Sequence, residues 1–298
     1  EGGWHGFNTS LLKSVSSPFD EGEGKGLLEE EMKYVISLPF NKLEESIKIL
    51  DSVKDDLACI IVEPLIGGSG CIPAERNYLH GLQEIARKLN ALFILDEIVT
   101  GFRLSLGGAQ RLFSLDPDLF TLGKIAGGGM PIGIVCGKRE VMEISNPIGK
   151  EKKERCSIGG GTFSSNPISM AAGLATLVHI IGKENVIYEN IGKMGEYARQ
   201  GIDKVMNENN VRVKTTGMGS LFLTHFLTDK ISDINNAVDV ANCNKNLQKI
   251  YHLALTAKYG IFFLPHKLGA ISIEHNKNDI EKLIDASEEL AREIRSSK

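Results

Sequence analysis

The chain has no Cys-x-x-Cys pair. Its five cysteines, Cys59, Cys71, Cys136, Cys156 and Cys243, are scattered and odd in number, which argues against a disulfide framework or a zinc site and points to a reducing cytoplasm. No apolar run is long enough to span a bilayer, and no charged-then-apolar leader stands at the start, so neither membrane nor export is expected. No charge of one sign dominates: 34 Lys and Arg against 38 Asp and Glu leave a net charge of -4, interspersed and without a basic stripe, so nucleic acid is not an expected partner. Two phosphate-binding patterns are also missing. In the glycine run the lysine, Lys124, precedes Gly127, Gly128 and Gly129 with no Ser or Thr after it, which is not the P-loop order, and no Gly-x-Gly-x-x-Gly follows a predicted strand. An initiating methionine is absent too: the chain opens Glu1-Gly2-Gly3-Trp4, as a fragment would.

What is present is a chain of 298 residues, 42% hydrophobic, long enough to bury a sizeable core in one large domain or two unequal ones. The first forty residues are rich in Ser, Gly, Asp and Glu, and residues 19–26 read as a loop, either a lid or an ordinary exposed connection. From Asn41 the pattern turns regular. A helix through Leu43, Ile47 and Leu50 leads to an apolar strand at 58–62; a helix through Leu79, Leu82, Ile85, Ala86 and Leu89 leads to a strand at 91–95. Strands near 119–122 and 132–136 bracket the glycine run. This is the β-α-β rhythm of a doubly wound α/β sheet. Beyond Asn166 come a helix through Ile181, an amphipathic stretch at 187–206, strands near 211–214 and 220–226, and a last helix from about Asn276 that turns Ile280, Leu283, Ile284, Leu290 and Ile294 inward. The spacing predicts a large domain over 1–187 and a smaller α+β domain over 188–298.

Ligands of open α/β sheets bind beyond the carboxyl ends of the strands, and there the pattern puts Glu63, Asp96 and Lys124. Singly each has a bland reading: an Asp after a strand caps the next loop, and a lysine is ordinarily on the surface. Lys124, however, is flanked by Leu122, Gly123, Ile125 and Ala126, and a buried lysine is costly unless its charge is lost or paired. A buried acid and a buried amine at neighbouring strand ends are what an enzyme needs to hold pyridoxal phosphate. The glycines then read as backbone packed around the lysine, with room left for a flat ring.

The ordered segments Val62-Glu63-Pro64, Asp96-Glu97-Ile98-Val99-Thr100-Gly101-Phe102-Arg103, Pro117-Asp118, Leu122-Gly123-Lys124-Ile125-Ala126-Gly127-Gly128-Gly129-Met130-Pro131 and Gly161-Thr162-Phe163-Ser164-Ser165-Asn166-Pro167 resemble the class III aminotransferases, and among them the glutamate-1-semialdehyde 2,1-aminomutase branch. The resemblance implies a fold-type-I pyridoxal-phosphate transferase, with a mixed, mostly parallel sheet, helices on both faces and a smaller C-terminal α+β domain. It implies that Lys124 forms the internal aldimine, that Asp96 keeps the ring nitrogen protonated, and that Ile98 packs on one ring face. Trp4 would stack on the other face with His5 beside it. Thr162 would reach the cofactor phosphate of a neighbouring subunit, which makes the active unit a homodimer. Ser16 falls in the segment that gates the site in the aminomutase. The phosphate turn of the family lies upstream of Trp4 and is not in this sequence.

Departures from the pattern bear on the substrate. Trp4 stands where the family usually has Tyr or Phe, Phe7 where the aminomutase has a second His, and Gly68 where it has Asn. Lys267, or Gly269 if a gap is allowed, replaces an aminomutase carboxylate; Lys267 is either a ligand for a substrate carboxylate or a solvated surface lysine. Val99 replaces a Gln that many class III members carry and the aminomutase branch lacks. These changes favour an aminotransferase working by a ping-pong mechanism with a small-molecule amino donor and keto acceptor. Intramolecular amino transfer by an aminomutase, and a silent module that keeps the fold to dimerise, are the alternatives.

Overall fold

The computed structural model describes residues 1–156 and 160–296, and the chain folds into two compact units that interleave in sequence. One consists of Ile47–Pro64 and Arg76–Glu184; the other of Glu1–Ser46, Leu65–Glu75 and Asn185–Lys298. The division expected from chain order, 1–187 and 188–298, is contiguous, whereas these units are not.

The first unit is built on a four-stranded sheet of β1 (Cys59–Val62), β2 (Leu92–Asp96), β3 (Leu119–Gly123) and β4 (Gly133–Gly137), in that spatial order. The first three strands are parallel, with Val62 opposite Leu95 and Asp96 opposite Thr121; β4 runs antiparallel to β3. The strands fall within a residue of their predicted places. Helix α1 (Arg76–Lys88) buries Tyr78, Leu79, Leu82, Ile85 and Ala86, the spacing read from the sequence. Leu79, Leu82 and Ile85 each contribute about 1.5–3 kcal/mol when fully buried. Asp118 sets where β3 begins. Its carboxylate accepts the Phe93 N–H at 2.8 Å and the Lys138 Nζ at 2.8 Å; burial pushes its pKa up, but these bonds and the charges of Lys138 and Arg87 outweigh that and hold it below the ordinary range.

Helix α2 (Pro167–Gly182) is started by Asn166, whose side chain accepts the N–H groups of Ile168 and Ser169, a strong N-cap followed by proline at the first position. Only Ser169, Gly173 and Ile180 of this helix are buried.

The second unit carries helix α3 (Glu184–Glu208) from its second residue onward, an antiparallel sheet of β5 (Val213–Thr216), β6 (Leu221–Phe226) and β7 (Gly269–Ala270), and helices α4 (Lys245–Tyr259) and α5 (Lys277–Ser296). Its core gathers Ile202, Met206, Phe222, Phe226, Leu255, Leu283 and Leu290. The Leu65–Glu75 segment forms a short hairpin, Leu65–Ile66 against Ile72–Pro73, fixed to β5 and β6 by Gly70: its carbonyl accepts the Thr216 hydroxyl at 2.5 Å and lies 2.9 Å from His225 Nε2. The His225 pKa drops to about 4, chiefly through burial, so this histidine is neutral at physiological pH. Among the described residues, no helix is long and apolar enough to cross a membrane.

Candidate active site

Asp96 closes β2 at the carboxyl end of the sheet and is 6% exposed. Its Oδ1 accepts from two directions, the Thr121 hydroxyl at 3.0 Å and the Ile98 N–H at 3.1 Å. The carboxylate is thereby fixed in orientation before any ligand arrives. Glu63, the residue after β1, is 5% exposed.

Lys124 follows β3 in a left-handed conformation, φ 47°, and opens the 3-10 turn Lys124–Gly127. The sequence reading has it buried, whereas the residue is exposed: a turn at the edge of the sheet lifts its stem out of the core. Enough protein still surrounds the amine that burial is the largest influence on it and drives its pKa below the ordinary lysine value of 10.5, against the opposing pull of the Glu63 and Asp96 charges.

The backbone around the lysine is packed tightly enough to fix the turn. Gly128 is left-handed, φ +58°, and a Cβ there would strike the Ala172 carbonyl and lie 2.6 Å from the Thr176 hydroxyl. Gly173 of α2 likewise lies against the Ala126 carbonyl. The run therefore seats helix α2 directly on the lysine turn, and only residues without side chains allow that approach. Ile98 packs over the residue before the lysine: a Cβ on Gly123 would come 3.0 Å from its Cδ1. Asp96, Ile98 and Lys124 are thus brought together in one unit, with Glu63 and Thr121.

Thr162 lies on the exposed turn before α2, where the Ser164 hydroxyl accepts the Gly161 N–H at 2.9 Å. The other expected residues belong to the second unit. Trp4, 38% exposed, meets the Phe7 ring edge-on at a centroid distance of 4.9 Å, and His5 is half-buried beside it. Ser16 is exposed. Lys267 is exposed in a turn closed by its N–H on the Leu264 carbonyl at 3.0 Å.

Two further residues support the site and carry no signal of their own in the sequence. Thr121 matters only because the β2–β3 register puts it opposite Asp96. Glu97 points away from Asp96 into the protein and accepts the Thr100 hydroxyl at 2.9 Å, the Ala109 N–H at 2.6 Å and the Gln110 N–H at 2.9 Å. Burial pushes its carboxyl above the usual range; the three donors oppose this, and the Asp96 charge adds to it. Gly108, at φ +62°, lies against the same carboxylate, where a Cβ would collide with Oε2. Gly108→Ala combines an unfavourable backbone with lost hydrogen bonds to Glu97, so a destabilisation of about 3 kcal/mol is expected. A urea midpoint for the variant equal to that of the parent protein would show that the contact is slack.

This α/β unit, with an acid and a lysine at adjacent strand ends, is a fold-type-I transferase arrangement. A family model for class-III aminotransferases matches residues 13–254, and the chain belongs to that family. Among curated relatives, it is 36% identical over 291 residues to glutamate-1-semialdehyde 2,1-aminomutase from Methanosphaera stadtmanae, covering 97% of this chain and 66% of that one. It is also 36% identical over 287 residues to glutamate-1-semialdehyde 2,1-aminomutase 2 from Lachnoclostridium phytofermentans, covering 94% and 65%. The chain thus spans just under two thirds of the length of these relatives. Of solved structures, an omega-transaminase from Sphaerobacter thermophilus superposes with a TM-score of 0.86 at 28% identity, over 99% of this chain and 67% of that one. A glutamate-1-semialdehyde aminomutase from Pseudomonas aeruginosa shares the fold at a TM-score of 0.82 and 20% identity, over 96% and 63%.

Proposed function

We propose that this chain carries the cofactor site of a pyridoxal-phosphate-dependent enzyme that moves an amino group between small molecules. The observation that carries this reading is the convergence of Glu63, Asp96 and Lys124 at one sheet end, with an amine whose pKa burial has lowered. The residues fit the cofactor. A buried carboxylate held by two donors suits a protonated ring nitrogen, Ile98 offers an apolar surface for a ring face, and the Lys124 amine suits the aldehyde. When bound, pyridoxal phosphate supplies the electron sink that makes a proton on the amine-bearing carbon acidic. Asp96 holds the positive charge that this sink requires, and Lys124 takes that proton and returns it, as a base whose pKa has been brought toward the working range. Trp4 and His5 are the proposed partners of the second ring face, Ser16 a gating residue and Lys267 a substrate ligand.

A homodimer is part of the proposal, with Thr162 reaching the phosphate in the neighbouring subunit. Behind the Thr162 turn, Phe163 and, on α2, Ile168, Leu174, Val178 and Ile181 are exposed, an apolar face of the kind that a partner chain covers. The double variant Leu174→Glu/Val178→Glu places two charges one turn apart on that face and is expected to convert a dimeric full-length protein to monomer in sedimentation; an unaltered dimer would place the interface elsewhere. The five free cysteines suit a cytoplasmic enzyme.

The names of the curated relatives favour a second reading, intramolecular transfer by an aminomutase. Phe7, Gly68 and Lys267 favour intermolecular transfer. The deciding experiment is a donor and acceptor screen on the full-length protein. Turnover with an amine donor and a keto acceptor is expected; isomerisation of glutamate 1-semialdehyde with no acceptor would establish the mutase, and no turnover with any amine would overturn the enzyme reading.

A further inference from the structure

A line of polar side chains runs through the second unit, from the turn before β7 to the hairpin of Leu65–Glu75. His225, on β6, is 1% exposed, and its Nε2 lies 2.9 Å from the Gly70 carbonyl. A carbonyl only accepts, so the hydrogen sits on Nε2 and leaves Nδ1 as an acceptor. Gln248 of α4, also buried, answers it: its amide nitrogen donates to the Thr224 carbonyl at 2.7 Å and faces His225 Nδ1 at 3.4 Å. Its amide oxygen then accepts from His266 Nδ1 at 3.0 Å, and His266 gives its backbone N–H to His252 Nδ1 at 3.2 Å. Each group fixes the orientation of the next, and the line ends on Gly70, whose carbonyl also accepts the Thr216 hydroxyl at 2.5 Å. Paired polar groups in a core add little net stability over apolar ones of the same shape. What they add is direction, because they grip one particular backbone atom.

That atom belongs to the tip of the hairpin. Gly70 is buried at φ +126°, where a Cβ would come 2.7 Å from Val240 Cγ2. The residues just before it touch the start of the chain. The Ser69 hydroxyl donates to the Val15 carbonyl at 2.7 Å, and the Gly2 N–H donates to the Ser14 carbonyl at 2.6 Å. Gly2 sits so close to the hairpin that a Cβ there would come 3.0 Å from Ser69 Cβ and 3.2 Å from Ile66 Cδ1; a Cβ on Gly68 would lie 3.9 Å from that of Trp4. The segment carrying Trp4 therefore rests on the hairpin tip that His225 grips. We infer that His225 is a positioning residue which, through the Gly70 carbonyl, holds that segment and so sets the place of Trp4, the proposed partner of the second ring face. This deepens the functional reading and rests on it.

The test is hydrogen–deuterium exchange of the cofactor-free full-length protein, read by mass spectrometry, with affinity for pyridoxal phosphate measured separately by absorbance titration. His225→Phe keeps an aromatic ring and removes the donor. Exchange is expected to rise about tenfold in the peptides that hold Gly2 to Trp4 and Leu65 to Glu75, the size of effect that one lost bond to a buried acceptor gives, while peptides of helix α5 stay at the parent rate. His225→Gln restores a donor of similar reach and is expected to return exchange to the parent rate. Parent-like exchange in both peptides of His225→Phe would overturn the inference. An equal rise through α5 would overturn it too, since that marks a residue of the general core. Should His225→Phe fail to fold, Thr216→Val removes the other donor to Gly70 and is expected to raise exchange in the same two peptides; no change there is equally contrary. The titration separates the two readings. Faster exchange is expected to come with about tenfold weaker binding of pyridoxal phosphate, because the binding-competent arrangement is then less populated. Faster exchange with unaltered affinity removes Trp4 from the ring site and leaves the grip of His225 on Gly70 standing, whereas unmoved exchange removes only the role of His225.

Discussion

Lys124→Ala is expected to lower turnover of the full-length enzyme by about 10³-fold or more, because it removes the covalent attachment point and the proton carrier in one step. Lys138, on the same unit, is no substitute, being committed to Asp118 at 2.8 Å and Asp116 at 3.2 Å. The fold should survive the change, since Lys124 is exposed and the turn it opens is held by the packing of Gly128 and Gly173 with helix α2. The measurement is single-turnover and steady-state kinetics on variant and parent, with circular dichroism to confirm folding. A folded Lys124→Ala protein that retains a tenth of the parent rate would remove the lysine from the chemistry.

Asp96→Asn has the second largest expected effect and is cleaner in its geometry. The Oδ1 atom that accepts from Thr121 and from the Ile98 N–H has a counterpart in the amide oxygen, so the side chain keeps its orientation. What it loses is the negative charge. Preorganised charge at such a position contributes roughly 10²–10³ in rate, and a loss of that order is expected with pyridoxal phosphate still bound. Absorbance titration with the cofactor and initial-rate measurements read the two quantities separately. Undiminished turnover would mean that the ring nitrogen does not depend on Asp96.

The sheet was legible in the sequence because its three parallel strands are short apolar runs, each followed by a polar or glycine residue, with a helix of clear period before β2. Lys124 and the two acids could be placed at one end of it for the same reason: parallel strands bring the residues that follow them to a common edge. Thr121 was not legible, because its meaning depends on a register that no local pattern encodes. Glu97 reads as one more acid beside Asp96 until the folded chain supplies Ala109 and Gln110 as donors. The placement of Leu65–Glu75 with β5 and β6 also lies beyond local pattern, since Gly70 is 146 residues from Thr216 and 155 from His225 in the chain. The apolar neighbours of Lys124 do not reveal its exposure: Gly123 and Ala126 are buried and Leu122 and Ile125 half-buried, while the lysine between them stands exposed in a left-handed turn.

The central claim is a covalent bond between one particular amine and the cofactor, and the most direct measurement is peptide mapping of the full-length protein after incubation with pyridoxal phosphate and reduction with borohydride. The account predicts a single modified peptide, carrying the reduced pyridoxyl group on Lys124. Modification of a different lysine, or of none, would contradict it.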